Sequence, residues 1–183
     1  KKKIPREEIK ILQSLVKNIL YNISNKLSYT ICGSFRRKSL DSGDIDLLIT
    51  NSDYKTKKDL DNCNTNYLNI IINEFTKKNI IIDNLTTSGK TKYMGVCLIN
   101  NIPRRLDIRF VPYNSYIPSI LYFTGSWQHN IGLRNIAIKQ DYKLNEYGLF
   151  KFSDDGEEKE ILLKSEKDLY DILGLEYILP KDR

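Results

Sequence analysis

Residues 32–48 read CGSFRRKSLDSGDIDLL. A Gly-Ser pair, two arginines and two aspartates within so short a stretch make a compact set of groups for gripping phosphate and metal. Gly33 lets the backbone approach a ligand closely, and Ser34 adds a hydroxyl and an N–H. Arg36 and Arg37 carry planar donor forks that match phosphate oxygens. Asp44 and Asp46 are expected on one strand, two residues apart and on the same face. Two ionised carboxylates about 4 Å apart repel by about 4 kcal/mol at an effective dielectric of about 20, so such a pair demands a cation or a shared proton. A third carboxylate, Asp107, stands in RRLDIRF, within another expected strand. If the two strands are neighbours, three carboxylates converge. Ligands that are all oxygen suit Mg²⁺ or Mn²⁺ rather than zinc, and two such ions bridged by carboxylates serve in-line phosphoryl or nucleotidyl transfer.

Outward from this stretch, hydrophobic spacing gives the surrounding elements. Residues 7–25 place Ile9, Leu12, Leu15, Val16, Ile19, Leu20 and Ile23 at three- and four-residue intervals, an amphipathic helix with Pro5 near its start. Residues 29–32 and 45–50 read as strands, and 67–78 as a second helix. Three further strands are expected at 80–85, 93–99 and 105–111. Pro112 and Pro118 bracket a change of character that marks a lobe boundary. Beyond it come a helix over 126–139, with Ile131, Leu133, Ile136 and Ala137 on its apolar side, and a turn with strand over 142–152. Residues 153–158 are a polar turn. A last helix starts at Ser165, with Asp168 three residues on, and stops at Gly174. The expected class is α/β (α+β): a mixed sheet with flanking helices over residues 1–112 and a small α+β lobe over 113–183.

The bulk properties limit the partners. The chain has 183 residues, 40% of them hydrophobic and 28% charged, enough for one ordinary domain or two small lobes. A net charge of +6 and a pI near 9.1 suit a polyanion such as nucleic acid. Cys32, Cys63 and Cys97 are odd in number and widely spaced, and His129 is the one histidine, so neither a disulfide framework nor a zinc site follows. No apolar run is long enough to span a bilayer. An intracellular, reducing location is expected, in a nucleus, or in the cytoplasm or a virion for a viral protein. The chain starts without Met, and is expected to act as a monomer or as part of a longer chain.

Further stretches agree in order: PREE at 5–8, TKYMGVC at 91–97, RRLDIRFVP at 104–112, LYFTGS at 121–126, NEY at 145–147, SEKD at 165–168 and PKDR at 180–183. Together with GSFRRKSLDSGDIDLLIT at 33–50, they closely resemble the family X DNA polymerases of the beta and lambda type, along essentially the whole chain. The resemblance implies a nucleotidyltransferase palm, a thumb lobe that closes over the nascent base pair, and template-directed addition of dNMP from a dNTP to a primer 3′-hydroxyl with release of pyrophosphate, as in short-gap repair. It implies that Asp44, Asp46 and Asp107 hold two Mg²⁺ ions, with Mn²⁺ as a substitute. It further implies triphosphate contacts at Gly33, Ser34, Arg37 and Gly43, a sugar pocket at Tyr122, Phe123 and Gly125 with a cis peptide to Ser126, and a contact from Asn130 to the incoming base. Lys92, Arg105, Arg134 and Tyr147 match contacts to primer-template or gapped DNA. Arg109 matches a switch that pairs with Asp46 in an open state and with Glu146 or Tyr147 on closure.

The departures are as informative. Lys38 stands where the family usually has glycine, so it loosens the turn or adds a phosphate contact. Trp127 replaces a small or acidic residue and has two readings, stacking on the incoming base or template, or packing internally. The lyase and most of the helix-hairpin-helix portion that precede the palm in the beta type are missing from Lys1 onward, either trimmed away or absent as in a minimal palm-and-thumb polymerase like the small viral member of the family. In both cases 5′-deoxyribose-phosphate lyase activity is not expected of this chain. Two rivals to templated synthesis are template-independent terminal transfer, against which LYFTGS speaks, and a non-catalytic DNA-binding relic, against which the three carboxylates speak.

Overall fold

A computed structural model describes residues 2–183. In chain order its elements are β1 (Ile4–Pro5), α1 (Arg6–Ile23), β2 (Leu27–Ile31), α2 (Gly33–Arg36), β3 (Asp41–Ser42), β4 (Ile45–Asn51), α3 (Lys57–Asn62), α4 (Tyr67–Lys77), β5 (Ile81–Asn84), β6 (Lys92–Ile99) and β7 (Ile102–Val111). There follow α5 (Tyr116–Thr124), α6 (Trp127–Lys139), β8 (Tyr142–Leu144), β9 (Leu149–Phe152), β10 (Glu158–Ile161) and α7 (Glu166–Ile172).

The main sheet is mixed, in the order β2-β4-β7-β6-β5, and the β4–β7 pair is its parallel one. Strand β7 shows how one face was chosen. Arg104, Leu106, Ile108 and Phe110 are buried, while Arg105, Asp107 and Arg109 between them are half-buried, the period of two that puts alternate side chains on opposite faces. Helices α1 and α4 cover the apolar face. Ile9, Leu12, Val16, Ile19 and Leu20 of α1 and Leu68, Ile71, Ile72 and Phe75 of α4 join Leu47, Ile49, Leu106, Ile108 and Phe110 in one core. Leu15 lies on the outer side of α1 and is exposed. Glu7 and Glu8 sit in the first turn of α1, where negative charge favours the helix dipole. Glu8 also receives a bidentate ion pair from Arg104, which fastens α1 to the buried side of β7. The β6–β7 hairpin turns at Asn100 and Asn101, both with positive φ (48° and 61°), as a two-residue primed turn requires.

A second core, Leu121, Leu133, Ala137, Leu144, Leu149, Leu163, Leu169, Tyr170 and Leu173, lies under the meander β8-β9-β10 and its helices. A small cluster of Cys32, Leu48 and Ile120 joins α5 to the sheet. Three expectations need correction, and one proline finds its place: Pro118 occupies the third position of α5, where a missing N–H costs no helical bond. Asp44 precedes β4, in a bend, rather than lying on the strand with Asp46. Ile131 is exposed on α6 instead of packing inward. Residues 142–152 form two strands, and a third, β10, begins at Glu158.

Candidate active site

The parallel register of β4 and β7 sets Asp46 directly opposite Asp107. Both lie on the sheet face that α1 and α4 leave free, with Arg105 and Arg109 on the same side of β7 by the strand period. On the other flank of β7, Met94 is the register partner of Asp107. Gly33 closes the site from above. Its φ is +61°, and a Cβ built on it would stand 2.8 Å from Oδ2 of Asp46. The backbone N–H of Cys32 donates to the carbonyl of Asp46 at 2.8 Å, tying the glycine turn to the strand.

The electrostatics follow from this crowding. Burial pushes the Asp46 carboxyl up to about 6, the charges of Asp44 and Asp107 push the same way, and Arg109 and Arg105 pull against them. Arg105 donates from Nε to Oδ1 of Asp107 at 2.8 Å, so one nitrogen of its guanidinium is engaged by the third carboxylate. Among the described residues no three His, Cys, Asp or Glu side chains are disposed to ligate one ion. As a donor set, Asp44, Asp46 and Asp107 are all oxygen and mutually repelling, which is the chemistry a hard divalent cation relieves.

The turn after Gly33 distributes its side chains unequally. Ser34 spends its hydroxyl on that of Ser42 at 2.7 Å. Arg36 does not face the carboxylate site; it is a bridge to the second lobe, bonding Oγ1 of Thr124 at 2.9 Å and pairing in a fork with Glu166. Arg37 donates from Nη1 to the carbonyl of Thr124 at 2.6 Å. Lys38 is exposed and holds φ +68°, a region that favours glycine. A Cβ on Gly43 would meet open space.

From the second lobe, α5 delivers Tyr122 and Phe123 as an edge-to-face pair with centroids 5.0 Å apart. Phe123 joins Cys32, Asp46, Leu48, Asp107 and Arg109 in lining one cleft. The Arg109 guanidinium lies 5.3 Å over the Phe123 ring and forms no ion pair with Asp46 or Glu146 here; Glu146 instead takes Arg134 at 3.5 Å. Arg134 also sits 5.0 Å over Tyr122. Asn130 donates to the carbonyl of Tyr122 at 2.8 Å. Gly125 has φ +67° and is joined to Ser126 by a cis peptide. Lys92 is the register partner of Arg109 and is exposed, as is Tyr147, whose carbonyl accepts from Ser115 at 2.7 Å. The structure thus gathers Asp46, Asp107, Arg109 and Phe123 around one cleft, with Gly33 against Asp46 and Arg105 bonded to Asp107, and Tyr122, Asn130 and Arg134 around a second; Asp44 lines neither.

Sequence reasoning missed the hub that holds the two groups together. Glu166 receives Arg36 from one side and Arg183 from the other. Burial alone would raise the Glu166 carboxyl, yet the two guanidinium partners hold it below its ordinary value. His129 bonds the Tyr170 hydroxyl at 2.9 Å beside this hub. Nothing local in the sequence marks Glu166, because its partner Arg36 is 130 residues away.

Against known families, residues 3–113 match the DNA polymerase beta palm and residues 119–183 the DNA polymerase beta thumb. The chain is 29% identical over 195 residues to DNA polymerase lambda of Rattus norvegicus, covering 99% of the chain and 33% of that relative. It is 25% identical over 201 residues to DNA polymerase lambda of Arabidopsis thaliana, covering the full chain and 37% of the relative. It is 33% identical over 102 residues to the DNA polymerase/3′-5′ exonuclease PolX of Bacillus subtilis (strain 168), covering 56% of the chain and 17% of the relative. The chain therefore spans about a third of the length of the lambda relatives.

Proposed function

The chain belongs to the family X DNA polymerases, and from that premise we propose that it is a template-directed polymerase that fills short gaps, with residues 1–112 as the catalytic lobe and 113–183 as the lobe facing the nascent pair. In this reaction the primer 3′-oxygen attacks the α-phosphorus of a dNTP, the bond from that phosphorus to the bridging oxygen breaks, and pyrophosphate leaves. The observation that carries the reading is the placement of Asp46 beside Asp107 on adjacent parallel strands, under the left-handed turn at Gly33.

Asp46 and Asp107, side by side on β4 and β7, would hold divalent ions, Mg²⁺ in the first instance, with Asp44 drawn in from the bend before β4 as the third carboxylate. Bound there, the ions supply charge neutralisation at the transferring phosphoryl group. The remaining work belongs to the chain. Gly33 leaves room for the triphosphate, because any side chain there would fill the space beside Asp46. The backbone around 33–37, Ser34 and Arg37 orient the triphosphate. Tyr122 and Phe123 bound the sugar, and Asn130 and Arg134 lie on one face of α6, four residues apart, to read the minor groove of the new pair. Arg105 and Lys92 contact the primer strand. Such a site acts mainly by positioning and by electrostatics.

Primer extension with Mg²⁺ and each single dNTP, on gapped duplex and on single strands, tests the reading. Incorporation confined to the template-matched nucleotide supports it. Indiscriminate tailing of single strands, or DNA binding without incorporation, overturns it.

A further inference from the structure

Tyr21 and Trp127 are the most exposed aromatic side chains among the described residues, at 72% and 67%. Trp127 does not pack internally, and it begins α6, the helix of Asn130 and Arg134. Tyr21 lies elsewhere, on α1, which covers the sheet face turned away from the carboxylates. With Lys17 and Leu20 of the same helix and Leu27 and Tyr29 of β2, it lines a groove of about 570 Å³.

The groove borders an edge of the main sheet, where β2 is paired with β4 alone. The flanking bonds fix which backbone groups of β2 are taken. The N–H of Cys32 donates to the carbonyl of Asp46 at 2.8 Å, and that of Ser52 to the carbonyl of Lys26 at 3.1 Å. Bonded and unbonded residues alternate along an antiparallel pair, so Ser28 and Thr30 bond β4 while the backbone groups of Tyr29 and Ile31 point outward. The opposite edge of the sheet is guarded: β5 carries Asp83 and a bulge between Ile81 and Asp83, two devices that blunt an edge. Strand β2 reads LSYTI, with no charge, no proline and an unbroken register against β4. Such an edge accepts another strand.

Charge selects the occupant. Residues 9–40 contain no Asp or Glu. Lys17, in the groove, and Lys26, next to Leu27, have no ion-pair partner among the described residues. A second copy of the chain would bring the same lysines face to face. A nucleic acid is anionic but has no row of alternating N–H and C=O groups to meet Tyr29 and Ile31. An extended polypeptide bearing carboxylates has both, and Leu20, Tyr21 and Leu27 give its other side chains an apolar wall.

We propose that the outer edge of β2 docks an extended, acidic segment of a partner protein, which joins the five-stranded sheet as a further strand and places alternate apolar side chains in the groove beside Tyr21. The surface lies on the sheet face away from Asp46 and Asp107, so the inference stands or falls independently of the polymerase reading.

The test takes the full chain and an array of hexapeptides in which Val, Ile, Leu or Tyr alternates with Glu. The strongest binder should have a Kd on the order of 10–100 μM, as a small transient interface gives. Exchanging its Glu residues for Lys, or methylating its backbone nitrogens, should abolish binding. At saturation the amide hydrogens of Tyr29 and Ile31 should exchange roughly tenfold more slowly. Lys17→Glu and Tyr21→Ala should each weaken binding about fivefold or more, at an unchanged melting temperature because both side chains are exposed. Failure of every peptide at about 1 mM, equal binding of the methylated peptide, or protection confined to other strands overturns the proposal. So does protection of Tyr29 and Ile31 by a DNA oligonucleotide, or by raising the concentration of the chain alone, which assigns the edge to nucleic acid or to a second copy.

Discussion

At Gly33 two constraints fall on one atom: the backbone sits at φ +61°, and the space a methyl would need belongs to Oδ2 of Asp46. Gly33→Ala should cost about 1–2 kcal/mol from the left-handed backbone alone, seen as a lower urea midpoint. It should also lower primer extension by roughly 100-fold, because the carboxylate must move by a fraction of its working distance. His129 offers a second test at this scale. Burial, and then the charge of Arg183, press its pKa down from 6.5 to about 4, and its Nδ1 is buried without a partner. Between those values the unfolded chain binds the proton and the folded chain does not, so stability falls as pH drops from 6.5 towards 4 and is indifferent to this group above 6.5. His129→Gln should flatten that part of the stability profile, recovering on the order of 1 kcal/mol at about pH 5 relative to wild type, once partial exposure is allowed for. Denaturant midpoints of both proteins at about pH 7.5 and 5 decide it.

Among the elements, the strands were legible because their residues alternate. In β7 a period of two sorts Asp107 and Arg105 from Leu106 and Ile108 without any need of coordinates. Helix α7 was legible from its cap: the Ser165 hydroxyl accepts from the Asp168 N–H, and the Asp168 carboxylate accepts from the N–H of Ser165. Helix α3 carries the same device at Thr56 and Asp59, yet six residues are too few for a periodicity, and it was overlooked. Helix α5 was lost because Pro118 reads as a break when its place in the first turn is unknown. Strand β10 is almost wholly exposed and polar, so it has no alternation to detect. Gly95 in β6 carries a prediction of its own. A Cβ there would fall 2.1 Å from the Tyr93 hydroxyl, and Tyr93 is buried and held by Oδ1 of Asn84 at 2.5 Å. Gly95→Ala should destabilise the protein by about 2 kcal/mol through overpacking, with hydrogen exchange accelerated in β5 and β6 ahead of the rest.

For the whole molecule, the site depends on how two cores are held against each other, and that was the least legible part of the sequence. The carboxylates and the glycine turn come from one core, Tyr122, Phe123 and Arg134 from the other, and the Arg36–Glu166–Arg183 hub spans them. In this hub the side chains of Arg183 and Glu166 are 0% and 7% exposed. Removing the carboxylate strands two guanidinium groups, so Glu166→Ala should cost about 3 kcal/mol and loosen the lobes, read as a lower melting temperature and a higher nucleotide KM. Lys167→Ala, next in sequence but breaking an exposed pair with Asp171, should leave the melting temperature unchanged.

The parallel seam between β4 and β7 also has a temporal meaning. It joins residues such as Thr50 and Val111, 61 positions apart, whereas the β6–β7 hairpin closes across two asparagines. Loop entropy makes the distant seam the slower to form. During refolding, helical ellipticity and hairpin protection should therefore return before any capacity for synthesis, and the aspartates of the two strands should become neighbours only in the last kinetic phase.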